Sequence, residues 1–202
     1  MICSLAQSAS HRLSGIGANL RPYHKKGKLV GCAITVKTRP SDNLMVHKAI
    51  DLAQSGDVIV VDAGGEVTHA IIGEIMMRMA QKKGIAGFVI HGAIRDSAVI
   101  REETFPIYAR GVTHHGPYKD GPGEINVPIT MDGTIVNPGD IIVGDEDGVV
   151  VVPYQRANDM IKLAQEQQRQ EKQILQSIKD GTLDRKWVDK ILEAKGCEFP
   201  DG

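Results

Sequence analysis

Arg95 and Asp96 directly follow a short apolar run that begins at Gly84 and is bounded by glycines. Such a run is typical of a buried strand, and sheets with parallel strands place their ligands at the carboxyl ends of those strands. A guanidinium offers a planar fork for a carboxylate or oxo group, and a carboxylate is an oxygen ligand for a hard cation. Arg95 and Asp96 are therefore the first candidates for function. The alternative interpretation is structural: an ion pair, with Asp96 capping a short helix predicted over 97–103.

A helix is predicted just ahead of this strand. Its apolar positions follow one helical face: Ile72, Ile75, Met76, Met79 and Ala80. The helix ends at Gly84, after two lysines in its last turn, and its start falls between Thr68 and Gly73. If it begins near Gly73, the free backbone N–H groups of residues 74–76, starting with Glu74, could bind a carboxylate. The alternative is that Gly73 only allows close packing of the helix on the sheet.

The order of predicted elements indicates the fold class. Strands at Leu29–Val36 and Val58–Asp62 flank a helix that follows the capping residues Pro40–Asn43, so strand and helix alternate in the first half. Short strands then dominate, at Phe105–Ala109, Asn126–Ile129, Thr134–Val136, Ile141–Val143 and Gly148–Val152. This pattern predicts a layered α/β domain.

The last fifty residues read as helical. One long helix is predicted over Tyr154–Lys179, with a thin apolar stripe at near-heptad spacing. Such a helix either leans on a neighbouring subunit or lies solvated on the surface, and both remain open. A further helix carries Trp187, for which a packing role is favoured. We therefore expect two parts: an α/β catalytic domain over residues 1–153 and a helical extension over 154–202.

Composition limits the partners and the compartment. The 202 residues carry a formal net charge of −1, which gives no basic footprint for nucleic acid. Three scattered cysteines without zinc spacing suit a reducing compartment, so a cytoplasmic location is expected. No apolar run approaches the roughly 18 residues that span a bilayer, and the first residues lack the features of a signal peptide. We expect neither nucleic acid nor membrane as a partner.

Four segments, in this order and spacing, resemble the RraA-like family across Gly31 to Pro153. They are Gly56–Asp62, Gly73–Met76, Gly92–Asp96, and Pro138–Asp140 continuing through Gly144–Val149. That family contains class II aldolases acting on 4-hydroxy-4-methyl-2-oxoglutarate and 4-carboxy-4-hydroxy-2-oxoadipate, and also regulators of ribonuclease activity. The resemblance implies a swivelling β/β/α-type fold that assembles as a homotrimer or a dimer of trimers.

The resemblance also implies a mechanism and its residues. The segment Gly73, Glu74, Ile75 and Met76 would bind the pyruvoyl part of a small 2-oxo acid together with Arg95, and Asp96 would support Mg²⁺ or Mn²⁺. The implied activity is metal-dependent cleavage of a 4-hydroxy-2-oxo dicarboxylic acid to pyruvate, with oxaloacetate decarboxylation as a related reaction. The alternative is a non-catalytic protein that binds a ribonuclease. Such regulators tend to end soon after the last strand, so the tail beyond Pro153 favours the enzyme.

Several positions depart from the family pattern or stay open. Ala98 and Val99 stand where relatives often have an acidic residue, and His91 replaces an aspartate or tyrosine. His91 at a strand end is expected to be a hydrogen-bonded neutral imidazole, with proton transfer as its alternative role. The general base is not identified, and a metal-bound water is an equal candidate. Candidates for an acidic metal partner from an adjacent subunit are Glu166, Glu171 and Glu193, and candidates near the distal half of the substrate are His114, His115, Tyr118 and Lys119.

Overall fold

The computed structural model describes residues 15–197, so that Cys3 and the start of the chain lie outside the described part. The chain divides into two compact units after Ala164. Within the described residues, the first unit contains a mixed sheet of nine strands, a separate two-stranded sheet and the helices that cover them. The mixed α/β class predicted from the sequence is confirmed, whereas the expected boundary after Pro153 remains a prediction.

The strands are β1 Arg21–Pro22, β2 Leu29–Thr38, β3 Asp57–Asp62, β4 Ala70–Ile72, β5 Gly87–Ile94, β6 Ile107–Val112, β7 Gly123–Ile125, β8 Ile129–Met131, β9 Thr134–Val136, β10 Ile141–Asp145 and β11 Gly148–Val152. The α-helices are α1 Leu44–Leu52, α2 Glu74–Lys83, α3 Ser97–Ile100, α4 Ala157–Lys179 and α5 Lys186–Ala194. A 3₁₀ turn at Tyr154–Arg156 leads into α4. In the part of the chain that the structure describes, no helix has the length and apolar character needed to cross a bilayer.

Strand β5 is an interior strand of the large sheet, with β6, β3 and β4 as its neighbours. The order is β1-β6-β5-β3-β2-β10-β11, with β4 added to β5 and β7 added to β2. The pairs β2–β3, β3–β5 and β5–β6 are parallel, whereas β10 and β11 continue the sheet antiparallel. All eight residues of β5 are buried, as expected for a parallel strand covered on both faces. Arg95 therefore directly follows a strand that is buried along its whole length.

Alternate residues of the central strands supply two cores on opposite faces of the sheet. Phe88 and Ile90 belong to the core that α1 and α2 cover, while Val89 packs with Tyr108 and the β8–β9 hairpin in the other. This alternation is the period-2 signature of a strand, and it gives the order helix layer, sheet, second β layer. The β/β/α layering implied by the family resemblance is confirmed.

One predicted strand is wrong. The segment 126–129 is mainly a turn between β7 and β8, and β8 begins only at Ile129. Asn126 has a φ of 58°, in the left-handed region that asparagine tolerates and a strand cannot use. The short strands β1, β4 and β7, with two or three residues each, were not predicted. Their lengths give too few residues for an alternating pattern to be recognised.

His91 joins the two β layers. Its side chain is almost buried, with Nδ1 3.4 Å from Asp62 Oδ1 on β3 and Nε2 3.2 Å from Asp132 Oδ1 in the β8–β9 turn. Arg110 Nη1 lies 3.6 Å from the same Asp132 oxygen. The hydrogen bond with Asp62 raises the pKa of His91, burial opposes that effect, and Asp132 adds to it. Arg110 Nη1 also lies 3.3 Å from His91 Nε2. His91 is therefore hydrogen-bonded, as the sequence predicted, and its expected neutral state stays a prediction.

This arrangement predicts how stability depends on pH. A histidine whose folded pKa is raised stabilises the fold below its ordinary value of 6.5, and that contribution is lost as pH rises through the raised pKa. Burial would raise the pKa of Asp62, but its bonds with His91 and the Gly64 N–H lower it overall, so its stabilising contribution is present above its ordinary pKa of 3.8 and is lost as the pH falls. We expect the free-energy difference of unfolding between wild type and His91→Gln to shrink as pH rises above 6.5. Urea titrations at a series of pH values measure it, and a difference independent of pH would contradict the prediction.

Candidate active site

Arg95 and Asp96 leave β5 side by side at its carboxyl end. The backbone N–H of Arg95 donates to the carbonyl of Ile72 in β4, at 3.0 Å, which fixes the chain where the strand ends. Asp96 then turns into the left-handed region, with φ 55° and ψ 33°. Both side chains are about two fifths exposed, with Arg95 Nε 3.7 Å from Asp96 Oδ2. Both are therefore accessible to a ligand and only loosely paired with each other.

The Asp96 carboxylate caps helix α2 rather than the helix that follows it. No side-chain capping bond to α3 forms, and Oδ2 instead accepts from the backbone N–H of Glu74 at 2.9 Å. The predicted cap is thus a real property of Asp96, but it serves an element 22 residues earlier in the chain. A carboxylate at a helix N-terminus is stabilised as an anion by the free N–H groups of the first turn.

Gly73 makes this approach possible. A Cβ added at Gly73 would overlap Asp96 Oδ2 and would lie 2.8 Å from Arg95 Cγ, closer than side chains tolerate. Gly73 has extended backbone and is the residue immediately before α2. The helix begins at Glu74, one residue beyond the range from Thr68 to Gly73 in which the sequence placed its start. The end of β5 and the first turn of α2 are therefore in close contact. Gly84 ends the helix in the left-handed conformation expected of a glycine stop.

A cleft of about 230 Å³ opens beside this junction. Its lining is formed by Asn43, His47, Ile71, Ile72, Gly73, Ile75, Met76, Arg95, Gly116, Pro117 and Lys119. Four of the six residues proposed from the sequence, Gly73, Ile75, Met76 and Arg95, thus line one cavity. Glu74 and Asp96 are not part of the lining. Glu74 Oε1 lies 3.4 Å from Arg78 Nη2 on the same helix, and Asp96 caps the first turn of α2.

The lining also contains two residues, Asn43 and His47, that the sequence did not propose for the site. Asn43 precedes α1, and His47 lies one turn further along the same helix face. Asn43 is 3% exposed, and its Nδ2 donates to the carbonyl of Ile71 at 2.9 Å and approaches Met76 Sδ at 3.4 Å. Its Oδ1 has no hydrogen-bond partner among the described residues, although a buried polar atom without one is costly. The sequence signal that could have pointed to Asn43 and His47 was the i, i+4 spacing of two polar side chains.

His47 is held in its uncharged form. Burial is the largest cause of its lowered pKa, because removal from water disfavours the imidazolium, and the positive charge of Lys119 adds to it. Asp51, one turn further along α1, acts in the opposite direction without reversing the effect. The lining of the cleft therefore includes a neutral imidazole as well as the cation of Arg95.

Lys119 reaches the cleft on a loop that Asp42 fixes. The Asp42 side chain is fully buried and accepts from the backbone N–H groups of Leu44, Asp120 and Gly121, at 2.9, 2.7 and 3.0 Å. Burial by itself would raise the pKa of Asp42, but these bonds together with Arg39 lower it. Lys119 is thus placed by the fold. Of the other candidates named for the distal half of a substrate, His114, His115 and Tyr118 do not line this cleft.

The donor set suits a small acid with more than one anionic or oxo group. Arg95 supplies a planar fork and Lys119 supplies a second cation. The first turn of α2 supplies backbone N–H groups that have no partner within the helix. A helix N-terminus of this kind attracts carboxylates. Asn43 Oδ1 adds an acceptor for a ligand hydrogen. The cleft can therefore hold an acid and stabilise negative charge that develops next to Arg95.

A divalent cation has one evident ligand here. Among residues 15–197, no group of three or more His, Cys, Asp or Glu side chains is arranged to hold a metal ion. Asp96 uses Oδ2 for the helix cap, and its side chain is about two fifths exposed, so that its other oxygen could bind a cation. Mg²⁺ commonly binds one or two carboxylates, keeps several waters and is completed by its substrate. The residues present fit a cation of that kind and do not form an all-protein cage.

Comparison with known proteins places the chain among related sequences and folds. The RraA-like family profile, described as Aldolase/RraA, matches residues 2–151. A curated relative from Halalkalibacterium halodurans, named "Putative 4-hydroxy-4-methyl-2-oxoglutarate aldolase", is 40% identical over 181 residues, which cover 89% of this chain and 86% of the relative.

Two solved structures share the fold. One is an uncharacterized protein from Pseudomonas syringae pv. tomato, with a TM-score of 0.80 and 29% identity, covering 90% of this chain and 89% of that one. The other is described as the RNA-processing inhibitor RraA from "Thermus thermophilis", with a TM-score of 0.69 and 30% identity, covering 76% of this chain and 92% of that one. The family profile spans more than half of the sequence and the layered fold agrees with it, so the chain belongs to the RraA-like family.

Proposed function

We propose that the protein is a divalent-metal-dependent aldolase that cleaves a 4-hydroxy-2-oxo dicarboxylic acid to pyruvate. The observation that carries this proposal is the meeting of Arg95 with the first turn of α2 across Gly73, on one wall of an accessible cleft. The name of the Halalkalibacterium halodurans relative supports the same substrate class. The protein would then be a lyase acting on small 2-oxo acids.

The pyruvoyl end of the substrate binds at the Arg95 wall. The guanidinium fork holds a carboxylate oxygen and the neighbouring oxo oxygen together, and the N–H groups at Ile75 and Met76 complete the carboxylate site. When the bond between C3 and C4 breaks, negative charge moves onto the oxo oxygen and an enolate of pyruvate forms. Donors fixed in advance around that oxygen stabilise the transition state more than the ground state, which is how they accelerate the reaction.

Asp96 would hold the Mg²⁺ or Mn²⁺ ion. Such a cation, when bound, polarises a carbonyl oxygen as a Lewis acid. The chain's own contribution is to hold the Asp96 carboxylate in place, because the backbone N–H of Glu74 donates to its Oδ2 at 2.9 Å. Since α2 also presents N–H groups to the substrate, the same helix terminus would organise both the ion and the acid.

A regulator of ribonuclease is the competing function, supported by the description of the Thermus neighbour. Such a role needs a docking surface, and it gives no purpose to a cleft that combines Arg95, Lys119 and the unpartnered Asn43 Oδ1. Pyruvate release from oxaloacetate, measured with Mn²⁺ and with EDTA, separates the two functions. We expect release with Mn²⁺ and its loss with EDTA.

We further propose that the chain forms a homotrimer or a dimer of trimers, as the family resemblance implies. Apolar side chains stand exposed along α4, namely Ile161, Leu163, Ile174, Leu175 and Ile178. Exposed apolar rows of this kind mark interaction surfaces. Light scattering is expected to give three or six times the chain mass of 21.9 kDa. A mass equal to one chain would contradict this assembly.

Arg95→Lys tests the fork. Lysine keeps the charge but offers a point donor on a flexible stem, so we expect kcat/KM for oxaloacetate decarboxylation to fall roughly a hundredfold, or about 3 kcal/mol. An unchanged thermal melt is expected, because the Arg95 side chain is partly exposed and only loosely paired with Asp96. Arg101→Lys, at an exposed position one short helix later, is the matched control and should keep full activity. Near-wild-type kinetics in Arg95→Lys would demote Arg95 to a structural residue.

Asp96→Asn separates the metal role from the cap. Asparagine tolerates the left-handed conformation at this position, and its carbonyl oxygen can still accept from Glu74 N–H. We therefore expect a nearly unchanged melting temperature together with the loss of Mn²⁺-dependent pyruvate formation. Asp96→Ala should lose both the activity and some stability. Full Mn²⁺-dependent turnover in Asp96→Asn would leave Asp96 with the cap as its sole function.

A further inference from the structure

We propose that the side chain of Ile75 contacts the substituent at C4 of the substrate and selects acids that carry a methyl group there. This inference rests on the proposed aldolase function and deepens it. That function uses the backbone N–H of Ile75 for the pyruvoyl carboxylate and leaves the side chain without a role. Ile75 lines the same cleft as Arg95.

Packing does not account for the Ile75 side chain. The other isoleucine and methionine residues of the lining, Ile71, Ile72 and Met76, are at most 5% exposed and belong to the core that α1 and α2 cover. Ile75 is 69% exposed and belongs to none of the core clusters of residues 15–197. A single exposed isoleucine is ordinary on a protein surface, but this one lies in a cleft that also holds two cations.

Distances place Ile75 beside the Arg95 guanidinium. Arg95 Nε lies 3.1 Å from the position of a Cβ added at Gly73, and Arg95 Nη1 lies 3.5 Å from the corresponding position at Gly116. The guanidinium therefore extends from the residue before α2 to the loop at Gly116. Ile75 is the second residue of α2, and helical Cα–Cβ bonds tilt toward the N-terminus of their helix. Its side chain thus leans toward the end of α2 where the acid would bind.

The substituents at C4 reach this region because C4 is bonded directly to the pyruvoyl part. In 4-hydroxy-4-methyl-2-oxoglutarate, C4 carries a hydroxyl, a carboxylate and a methyl group. Contact between the methyl group and Ile75 removes apolar surface of both from water, which is favourable. A hydroxyl or a carboxylate in the same place would lose hydrogen bonds with water and gain none from an isoleucine. The methyl group is therefore the substituent that fits beside Ile75.

A pair of substrates that differ only in this methyl group tests the contact. We compare kcat/KM for 4-hydroxy-4-methyl-2-oxoglutarate with kcat/KM for 4-hydroxy-2-oxoglutarate, both with Mn²⁺, in wild type and in Ile75→Ala. The ratio of the two values is expected to fall at least about fivefold in Ile75→Ala, near the lower end of what one methylene is worth in an apolar pocket, because Ile75 is partly open to water. Intrinsic differences in reactivity between the two acids cancel in this comparison.

Two further variants make the test specific. Ile75→Val removes one carbon and should give an intermediate ratio. Met79→Ala is the matched control, since Met79 is an exposed apolar residue one turn further along α2 and is not part of the cleft lining. It should leave the ratio unchanged. Thermal melts of all variants are expected to match wild type, because both side chains are largely outside the core.

The outcomes separate this inference from the function on which it rests. An unchanged ratio in Ile75→Ala, or an equal change in Met79→Ala, would overturn the role of Ile75. Equal losses on both acids with a reduced mass in light scattering would overturn it too, and would make Ile75 a contact between chains. A wild-type chain that releases pyruvate from oxaloacetate but cleaves neither hydroxy acid would overturn the inference while sparing the pyruvate site. Inactivity on all three acids would overturn the proposed function itself.

Discussion

The close approach of helix α2 to the end of β5 is the contact on which the candidate site depends. It requires a residue without a side chain at Gly73, because a Cβ there would overlap the Asp96 carboxylate. It also requires the parallel strand β5 to end where β4 holds the backbone of Arg95 through the carbonyl of Ile72. These two local conditions bring a guanidinium, a carboxylate and a helix N-terminus together. Each alone would be an ordinary structural feature.

Asp96 shows why a structural and a functional interpretation of one residue need not exclude each other. Its bond to Glu74 N–H stabilises α2 as a cap would, and the same bond holds the carboxylate in the position where it could bind a cation. The loose pairing with Arg95, at 3.7 Å, leaves that guanidinium free to face the cleft. A tighter ion pair between neighbours would have satisfied both charges internally and left less for a ligand.

The sequence predicted those parts of the site that depend on neighbours along the chain. The glycine stop at Gly84 placed the end of α2 correctly, and the apolar run placed β5 with Arg95 at its end, whereas the start of α2 was left open between Thr68 and Gly73. Asn43 was expected only to cap α1, yet its side chain bonds to Ile71, 28 residues away, and no local pattern encodes that contact. Lys119 was named among several loop residues. The buried Asp42 carboxylate holds the loop next to Lys119 by accepting from the backbone N–H of Asp120.

The charges that line the cleft favour an acidic ligand. Arg95 and Lys119 are both cations, and a second charged acid beside them would neutralise part of their field. The lining adds polar side chains that avoid this outcome, because Asn43 is an uncharged amide and burial, reinforced by Lys119, lowers the pKa of His47. Lys119 in turn stands on a loop that the buried Asp42 carboxylate holds through the backbone N–H groups of Asp120 and Gly121. A buried anion outside the cleft therefore helps to position one of the two cations that suit the cleft to an acid.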